Sequence, residues 1–268
     1  MTSPLSHKVP EPYVTLYLCR HGETELNLQG VLQGGGINAP LNHTGQLQVA
    51  RLGERFRNRP IDWVISSALL RAEQTAQSVA QYHPDAEFTI IPELNELCWG
   101  IWEGKKCPYM PSLLERWNSG DYEASFEQGE SVLDAEKRIT AAITQILEQA
   151  AGRKHVFVAT AHGRLLRVIL SSLIDNNLSH MAEYTHRNSC VNVVRVYRRV
   201  DLSPGQYQRF AQTRAFPKTW IPESKNALGD ADAPFQTHRL RRTRPTSVLD
   251  DFVFIPVQLD NMEHLIES

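Results

Sequence analysis

Residues 14–22 read VTLYLCRHG, an apolar run that ends in an arginine, a histidine and a glycine. The run Val14–Leu18 predicts a buried strand, because short continuous apolar stretches are typical of strands that are covered on both faces. His21 would then lie at the end of this strand, between the fixed charge of Arg20 and a flexible turn at Gly22, where it is well placed to meet a phosphate. Because Arg-His-Gly also occurs by chance, this interpretation depends on whether the rest of the chain supplies the other residues that a phosphate site needs.

Composition and charge limit the class of protein. The 268 residues allow one large α/β domain or two small ones, and they suffice to bury a substantial core. The net charge of −2 gives no overall attraction to nucleic acid or anionic membranes, so we expect neither as a partner. An anion site must therefore be built from locally placed cations. No apolar stretch approaches the roughly 20 residues that a membrane-spanning helix needs.

Cellular location is predicted from the N-terminal residues and the cysteines. Residues 1–12 contain three prolines and lack the apolar segment of a secretory signal, so we interpret them as a flexible leader. The four cysteines form no Cys-x-x-Cys pair and are predicted to be free thiols in a reducing compartment. These features predict a cytoplasmic protein, with the nucleus as the alternative.

Strand-like and helix-like patterns alternate along residues 13–200. Strands are predicted at Val14–Leu18, Ile61–Ser66, Phe88–Ile91, Val156–Ala161 and Cys190–Tyr197, and helices at Gln46–Phe56, Ala68–Ala80, Ser131–Ala151 and Leu165–Ile174. This alternation predicts an α/β fold, a three-layer αβα sandwich with a mostly parallel central sheet. The irregular stretch 98–129 is predicted to be a lid or substrate loop. Residues 201–268, where the pattern weakens, are interpreted as a C-terminal extension that packs on the domain or trails from it.

Residues that can carry chemistry follow four of the predicted strands. They are Arg20 and His21, Arg71, Glu93 and Glu96, and His162. Open α/β sheets bind ligands at the carboxyl ends of their strands, so we expect two histidines, two arginines and one carboxylate to converge there. Of the two acids, Glu96 is preferred for its spacing from Gly100.

This set of residue types meets the needs of phosphoryl transfer. Arginine forks match the non-bridging oxygens of a phosphoryl group with paired hydrogen bonds. A neutral imidazole is a competent nucleophile when its other nitrogen is held as a donor, and a protonated carboxyl group can donate to the leaving oxygen. We expect no metal and no other cofactor, because arginine and histidine supply the positive charge and the chain has neither an Asp-rich cluster nor a phosphate-binding Gly-x-x-x-x-Gly-Lys loop.

Seven collinear segments extend the pattern over about residues 14–197. They are Arg20–Asn27, Gln33-Gly34, Pro40–Gly45, Ser66–Ala76, Leu94–Gly104, Gly129–Ser131 and Ala161–Gly163. In these segments the chain resembles the histidine phosphatase superfamily, in the branch of cofactor-dependent phosphoglycerate mutases, fructose-2,6-bisphosphatases and broad-specificity phosphatases. The resemblance implies a phosphoglycerate mutase-like fold.

The resemblance also implies a role for each matched residue. His21 would be the nucleophile that becomes phosphohistidine, and Glu96 would donate a proton to the leaving group and then activate water. The residues implied for the phosphate pocket are Arg20, Thr24, Asn27, Gln33, Arg71, His162 and Gly163. Together with His21 and Glu96, the residues Arg20, Arg71 and His162 form the implied catalytic set.

Departures from the family pattern bear on the activity. Leu26 replaces the usual tryptophan, Asn38 replaces an aspartate, and Arg164 adds a cation near the pocket. The segment Gly100–Gly104 is similar to that of the phosphatases and lacks the mutase signature. The resemblance thus implies a metal-independent phosphomonoester hydrolase acting on a small phosphorylated metabolite, such as a sugar phosphate or bisphosphate. Phosphoglycerate mutase activity and a non-catalytic interaction module are the alternatives.

Several properties are left open by the sequence. The physiological substrate, the role of residues 201–268 and the formation of a homo-oligomer are not encoded in a readable pattern. Residues 242–247 fit Arg-x-Arg-x-x-Ser, a pattern of basophilic kinase sites, and make Ser247 a candidate for phosphorylation.

Overall fold

A six-stranded mixed sheet forms the centre of the fold. The computed structural model describes residues 11–160, 163–212 and 248–265. Its strands are β1 (Val14–Arg20), β2 (Trp63–Ser66), β3 (Glu87–Ile90), β4 (His155–Thr160), β5 (Val191–Arg198) and β6 (Phe252–Asn261). They lie in the order β3-β2-β4-β1-β5-β6. The first four strands are parallel, whereas β5 runs antiparallel to β1 and β6 antiparallel to β5.

Seven α-helices surround the sheet in the described residues. They are α1 (Glu25–Leu28), α2 (His43–Phe56), α3 (Leu70–Ala80), α4 (Met110–Asn118), α5 (Val132–Gln149), α6 (Gly163–Leu170) and α7 (Pro204–Gln212). Side-chain caps fix where the longer helices begin: Asn42 accepts from the backbone N–H of Gly45, and Ser131 accepts from that of Asp134. Each of these helices in the described residues is too short or too polar to span a membrane.

Two hydrophobic cores lie on opposite faces of the sheet. Successive residues of a strand point to opposite faces, and β1 shows this directly. Leu16 and Leu18 belong to the core shared with α5 and α6, whereas Tyr17 and Cys19 belong to the core shared with α2 and α3. Because both faces are covered, β1 must be apolar at nearly every position. The predicted three-layer αβα sandwich with a mostly parallel sheet is confirmed.

Strand β6, which lies in the C-terminal extension, belongs to this sheet. Strand β6 pairs with β5 from Arg198↔Phe252 to Val191↔Asn261, with register shifts near the Val191 end. Leu249, Phe254 and Leu259 are buried in the larger core. The described strand therefore packs on the domain. Most of the predicted leader, the arginine-rich run 239–244 and Ser247 lie outside the described residues.

Helix α6 is shorter than the sequence predicts. The pattern predicts one helix over Leu165–Ile174, but α6 ends at Leu170 and continues as a wider, π-helical turn over Ser171–Asp175. Asn176 closes that turn in the left-handed region at φ 54°, a conformation that asparagine tolerates better than most residues. The apolar side chains of the turn stay buried, so their periodicity alone does not show the change of helix type.

Candidate active site

A cavity of about 240 Å³ lies where β1 ends and α6 begins. Five of the predicted site residues line it, namely Arg20, Asn27, Gln33, Glu96 and Gly163. Arg20 is the last residue of β1, and Gly163 is the first residue of α6, which follows β4. The carboxyl ends of the parallel strands thus bring these residues together, as in other open α/β sheets.

His21 follows β1 directly and is fully buried. Its Nδ1–H donates to the carbonyl oxygen of Gly22 at 2.5 Å, which places the lone pair of the neutral ring on Nε2. Burial, reinforced by the charges of Arg20 and Arg71, holds the pKa of His21 well below its usual value of 6.5. The ring is therefore neutral at physiological pH, the form that a nitrogen nucleophile requires.

The backbone around His21 is held closely. Its carbonyl oxygen accepts from the backbone N–H of Ser189 at 3.0 Å and from Nδ2 of Asn188 at 3.2 Å. A Cβ on Gly22 would lie 2.7 Å from the carbonyl oxygen of Gly45 in α2, so the approach of α2 to this turn requires glycine. The position of His21 is thus fixed both from the loop that precedes β5 and from α2.

Glu96 is the carboxyl group of the cavity. It is 8% exposed, and its Oε1 accepts from the backbone N–H groups of Leu97 (3.0 Å) and Leu165 (3.2 Å). Burial raises the pKa of Glu96 to about 7, against the opposing effects of the Leu97 hydrogen bond and of Arg71. Its rival Glu93 is exposed in the turn that precedes it. Of the two acids, Glu96 alone lines the cavity.

Arg20 has donors for a bound anion. Its Nη1 donates to the carbonyl oxygen of His186 at 2.7 Å, and its Nε is buried with no hydrogen-bond acceptor among the described residues. The Oε1 atom of Gln33, on the cavity wall, is likewise buried without a hydrogen-bond partner in that part of the chain. Buried polar atoms normally have partners, so such atoms at a cavity wall are suited to a polar ligand.

Arg71 lies behind the cavity wall rather than on it. Its side chain is fully buried, and its guanidinium donates to the carbonyl oxygens of Ile37 (2.7 Å) and Gly34 (2.9 Å). Burial lowers the pKa of Arg71 to about 10, whereas the nearby Glu96 raises it. The charge of Arg71 therefore acts on the site, while two of its hydrogen bonds hold the glycine-rich loop that contains Gly34, Gly35 and Gly36.

Thr24 and Asn27 form a capping box at α1. The Thr24 hydroxyl accepts from the backbone N–H of Asn27 (3.1 Å), and Asn27 Oδ1 accepts from that of Thr24 (3.2 Å). Thr24, like His21, is fully buried and is not among the residues that line the cavity, so its predicted place in the phosphate pocket stays a prediction. Asn188 also donates to Asn27 Oδ1 at 3.2 Å, so two donors hold the amide oxygen of this cavity-lining residue.

His162 lies outside the described residues, so its role stays a prediction. Its neighbour Gly163 is described and lies beside Arg20, where an added Cβ would be 3.7 Å from the guanidinium carbon. This contact places the start of α6 next to the arginine.

Glu103 organises the glycine-rich loop. Its carboxylate accepts from the backbone N–H groups of Gly36 and Trp99, each at 3.0 Å. A Cβ on Gly34 would lie 1.9 Å from Glu103 Oε1, and Gly34 has φ +60°. The loop that carries Gln33 therefore closes on this carboxylate, which has a structural role.

The predicted lid contributes to the cavity wall. Trp99 packs against Trp117 and Phe126, with ring centroids 6.4 Å apart in both pairs. Trp99 also lines the cavity, together with Met110 from α4. The aromatic residues of the predicted lid therefore pack against one another, and Trp99 also forms part of the cavity wall.

Sequence reasoning missed three residues of the site. Arg167 lines the cavity beside Arg164, and Asn188 and Ser189 hold the backbone of His21. The signal for Arg167 was present, since residues three apart on a helix share a face. Asn188 and Ser189 showed no such signal in the sequence, because they lie in a loop that is distant from His21 along the chain.

One cluster of three groups that could ligate a metal lies in the described residues, away from the cavity wall. It comprises His186, Cys190 and Asp260, with donor atoms within 4.8 Å of one another. Both carboxylate oxygens of Asp260 accept from Arg187, at 2.8 and 3.0 Å, and burial raises the pKa of the Cys190 thiol. We interpret this cluster as a structural contact, in which Asp260 of β6 is hydrogen-bonded to the loop that precedes β5.

The comparison with protein families decides the assignment. Residues 16–201 match the model of the histidine phosphatase superfamily, branch 1, which is more than half of the chain. The chain belongs to this superfamily. The resemblance found in the sequence motifs is confirmed.

Relatives and solved structures add detail to this assignment. A probable phosphoglycerate mutase, GpmB, of Salmonella arizonae is 29% identical over 223 residues, covering 82% of this chain and 95% of the relative. YhfR of Bacillus stearothermophilus is 28% identical with a TM-score of 0.60 and covers 68% of this chain and 90% of its own. The alpha-ribazole phosphatase from Shigella flexneri is 26% identical with a TM-score of 0.59 and the same coverages. The family and these neighbours support a phosphatase with a phosphoglycerate mutase-like fold.

Proposed function

We propose that this histidine phosphatase hydrolyses the phosphomonoester of a small phosphorylated metabolite through a phosphohistidine intermediate, without a metal. The observation that carries the proposal is the presence, around the same two arginines, of a neutral His21 and of a carboxyl group, Glu96, whose pKa is about 7. Both groups are coupled electrostatically to Arg20 and Arg71. Such a set provides a nucleophile, a proton donor and fixed positive charge in one place.

In the first step, Nε2 of His21 attacks the phosphorus atom and the P–O bond to the leaving alcohol breaks. The electron pair of that bond goes to the leaving oxygen, which takes the proton of Glu96. Nε of Arg20 and the amide nitrogen of Asn27 donate to the phosphoryl oxygens. We assign Arg71, His162 and the backbone of Gly163 to the same phosphate pocket, and Gln33 to its rim.

In the second step, water attacks the phosphorus atom and the carboxylate of Glu96 takes its proton. The P–N bond breaks, its electron pair returns to His21 Nε2, and inorganic phosphate leaves. The first step needs a neutral histidine and a protonated carboxyl group. Both are present between the lowered pKa of His21 and the pKa of Glu96 at about 7, so the rate is expected to fall above neutral pH.

Turnover of p-nitrophenyl phosphate in EDTA tests the mechanism. The wild type should be active, and His21→Ala should lose about a thousandfold or more of kcat. His83→Ala, a half-buried histidine outside the cavity, is the matched control and should retain activity. An acid-labile, alkali-stable phosphoenzyme should form in the wild type and in His83→Ala but not in His21→Ala. Unchanged activity in His21→Ala, or activity that EDTA removes, would contradict the proposal.

Phosphoglycerate mutase activity is the alternative that the names of the curated relatives favour. It requires that the phosphohistidine transfers its phosphoryl group to a second hydroxyl group instead of water. An isomerisation assay with 2,3-bisphosphoglycerate present separates the two: release of inorganic phosphate without isomerisation supports the hydrolase, and isomerisation faster than release supports the mutase.

A further inference from the structure

We propose that the active-site cavity binds a second anionic group of the substrate, a phosphate or a carboxylate, through Arg164 and Arg167. This inference rests on the proposed function and names the class of its substrate: phosphomonoesters that carry another negative charge within the reach of one small cavity.

The two arginines lie on the cavity wall together with Arg20 and Glu96. Arg164 and Arg167 are three residues apart at the start of α6, so their side chains share one face of the helix. Both line the cavity that contains Arg20 and Glu96. The ion pairs found among the described residues involve neither of them.

Their electrostatic environment is unfavourable without an anion. Burial, reinforced by the neighbouring charge of Arg167, lowers the pKa of Arg164 to about 10. Burial and the charge of Arg20 lower the pKa of Arg167 as well. Glu96 is the acid that opposes this effect at Arg164, yet with a pKa of about 7 it carries only about half a negative charge at neutral pH. Three partly desolvated guanidinium groups in one cavity are stabilised when an anion binds between them.

The pair differs from the residues of the proposed phosphoryl site because it also borders a second cavity. Asn27 and Gln33 lie on the cavity wall with Arg20, where the scissile phosphate is proposed to bind. Arg164 and Arg167 also border a separate apolar cavity of about 60 Å³ near Trp117 and Met181. Arginine stems pack well against such apolar surface while the guanidinium points to a polar ligand. Guanidinium forks bind phosphate and carboxylate in the same bidentate manner.

Matched substrate pairs test this proposal. Fructose 1,6-bisphosphate is compared with fructose 6-phosphate, and 3-phosphoglycerate with glycerol 3-phosphate, so that the second charge is a phosphate in one pair and a carboxylate in the other. The wild type should favour the doubly anionic member of at least one pair by about tenfold to a hundredfold in kcat/KM. The pair with the larger preference identifies the second anion.

Variants show whether the two arginines carry this preference. Arg164→Gln and Arg167→Gln should each reduce the ratio within a pair, mainly through KM, and the double variant should bring it close to one. Arg57→Gln, which removes a charge from an exposed ion pair on the far end of α2, should leave the ratio unchanged. A wild type that turns over p-nitrophenyl phosphate but shows no preference overturns this inference alone. A wild type inactive on every ester overturns the proposed function.

A second inference rests on a different observation, the C-terminal strand. We infer that Asp260, in β6 and beyond the residues matched by the family model, is a positioning residue for the phosphate site. Asp260 is 6% exposed and adopts φ +47°. Its carboxylate accepts from the backbone N–H and Nε of Arg187, and its backbone oxygen accepts from Arg187 Nη2 at 2.9 Å.

The segment that Asp260 holds is the one that contacts the catalytic strand. The carbonyl oxygen of His186 accepts from Arg20, and Asn188 and Ser189 donate to the carbonyl oxygen of His21. Asp260 thus fixes a short loop whose neighbouring residues position both Arg20 and His21. Loss of its carboxylate is expected to displace Arg20 and weaken phosphate binding.

Two variants separate positioning from folding. Asp260→Gly removes the carboxylate without strain, because glycine accepts positive φ, and Asp260→Asn keeps an acceptor for the Arg187 backbone. We expect Asp260→Gly to raise KM for p-nitrophenyl phosphate and Ki for vanadate by about tenfold, and Asp260→Asn to recover most of the loss. A role in folding alone would lower the active fraction, and so kcat, at unchanged KM; that result, or a failure of asparagine to rescue, overturns the inference. Asp201→Asn, which breaks an exposed ion pair, is the control.

Discussion

Replacing Glu96 by glutamine tests whether burial keeps this carboxyl group protonated near neutral pH. Burial raises the pKa of Glu96 from 4.5 to about 7. A carboxyl group with a raised pKa destabilises the folded state as pH rises through this window, because only the unfolded chain ionises there. Glutamine does not ionise, and its Oε1 can accept the same hydrogen bonds from Leu97 and Leu165.

The expected magnitude follows from the two pKa values. At about 1.4 kcal/mol per pKa unit, the destabilisation of the wild type by Glu96 is about 1 kcal/mol at pH 5 and about 3 kcal/mol at pH 8. Glu96→Gln should therefore gain about 2 kcal/mol in free energy of unfolding, relative to the wild type, between these pH values. The same variant should lose about a hundredfold or more in kcat on glycerol 3-phosphate, since its alkoxide leaving group needs a proton. The loss on p-nitrophenyl phosphate should be smaller, because p-nitrophenolate leaves readily without one.

Urea unfolding of the wild type and Glu96→Gln at pH 5 and pH 8 measures the first effect. Groups that titrate in both proteins cancel in the difference, so the change between the two pH values isolates Glu96. Glu93→Gln, at an exposed position nearby, is the control and should have the same free energy of unfolding as the wild type at both pH values. If the stability difference between Glu96→Gln and the wild type is the same at pH 5 and pH 8, Glu96 is not held protonated and the assignment of the proton donor is wrong.

Two further substitutions test how the loops hold the site. Gly34→Ala should destabilise the protein by about 2 kcal/mol and lower kcat/KM, because its Cβ would collide with Glu103 at positive φ. Gly30 is the control, because it has φ +68° and an added Cβ would meet nothing within 4 Å, so Gly30→Ala should lower the free energy of unfolding by only about 1 kcal/mol. If urea unfolding shows the same loss of stability for Gly34→Ala and Gly30→Ala, the proposed role of Glu103 is refuted. Thr24→Val should lose the cap of α1, about 1 kcal/mol, and raise KM by displacing Asn27; a KM equal to the wild-type value would show that the cap does not position that side chain.

The convergence of the site could be predicted because it depends on strand ends. The apolar runs that become β1 and β4 mark where two parallel strands finish, and the residues just after them must meet at one edge of the sheet. Arg20, Glu96 and Gly163 lie on one cavity for this reason. Local patterns were sufficient, since each residue lies within a few positions of the element that places it.

Side-chain direction and long-range pairing could not be predicted in this way. The sequence places Arg71 at the start of α3 but does not show that its guanidinium turns to the carbonyl oxygens of Gly34 and Ile37. Thr24 carries the same hydroxyl whether it binds a ligand or caps a helix, and the structure shows the cap. Strand β6 begins more than fifty residues after β5 ends, so the partner of its apolar run is not visible in the local pattern.

Burial alone accounts for the opposite shifts of the two groups that the proposed chemistry uses. Removal from water penalises a charged imidazole and a charged carboxylate alike, so it lowers the pKa of His21 and raises that of Glu96. The arginines strengthen the first shift, whereas the hydrogen bond from Leu97 and the arginines oppose the second, so the pKa of Glu96 stays at about 7 rather than far above it. A carboxyl group at this value can donate a proton in one step and accept one in the next, as hydrolysis through a phosphoenzyme requires. The arginines proposed to bind phosphate therefore also help to hold the acid at a value at which it can serve both steps.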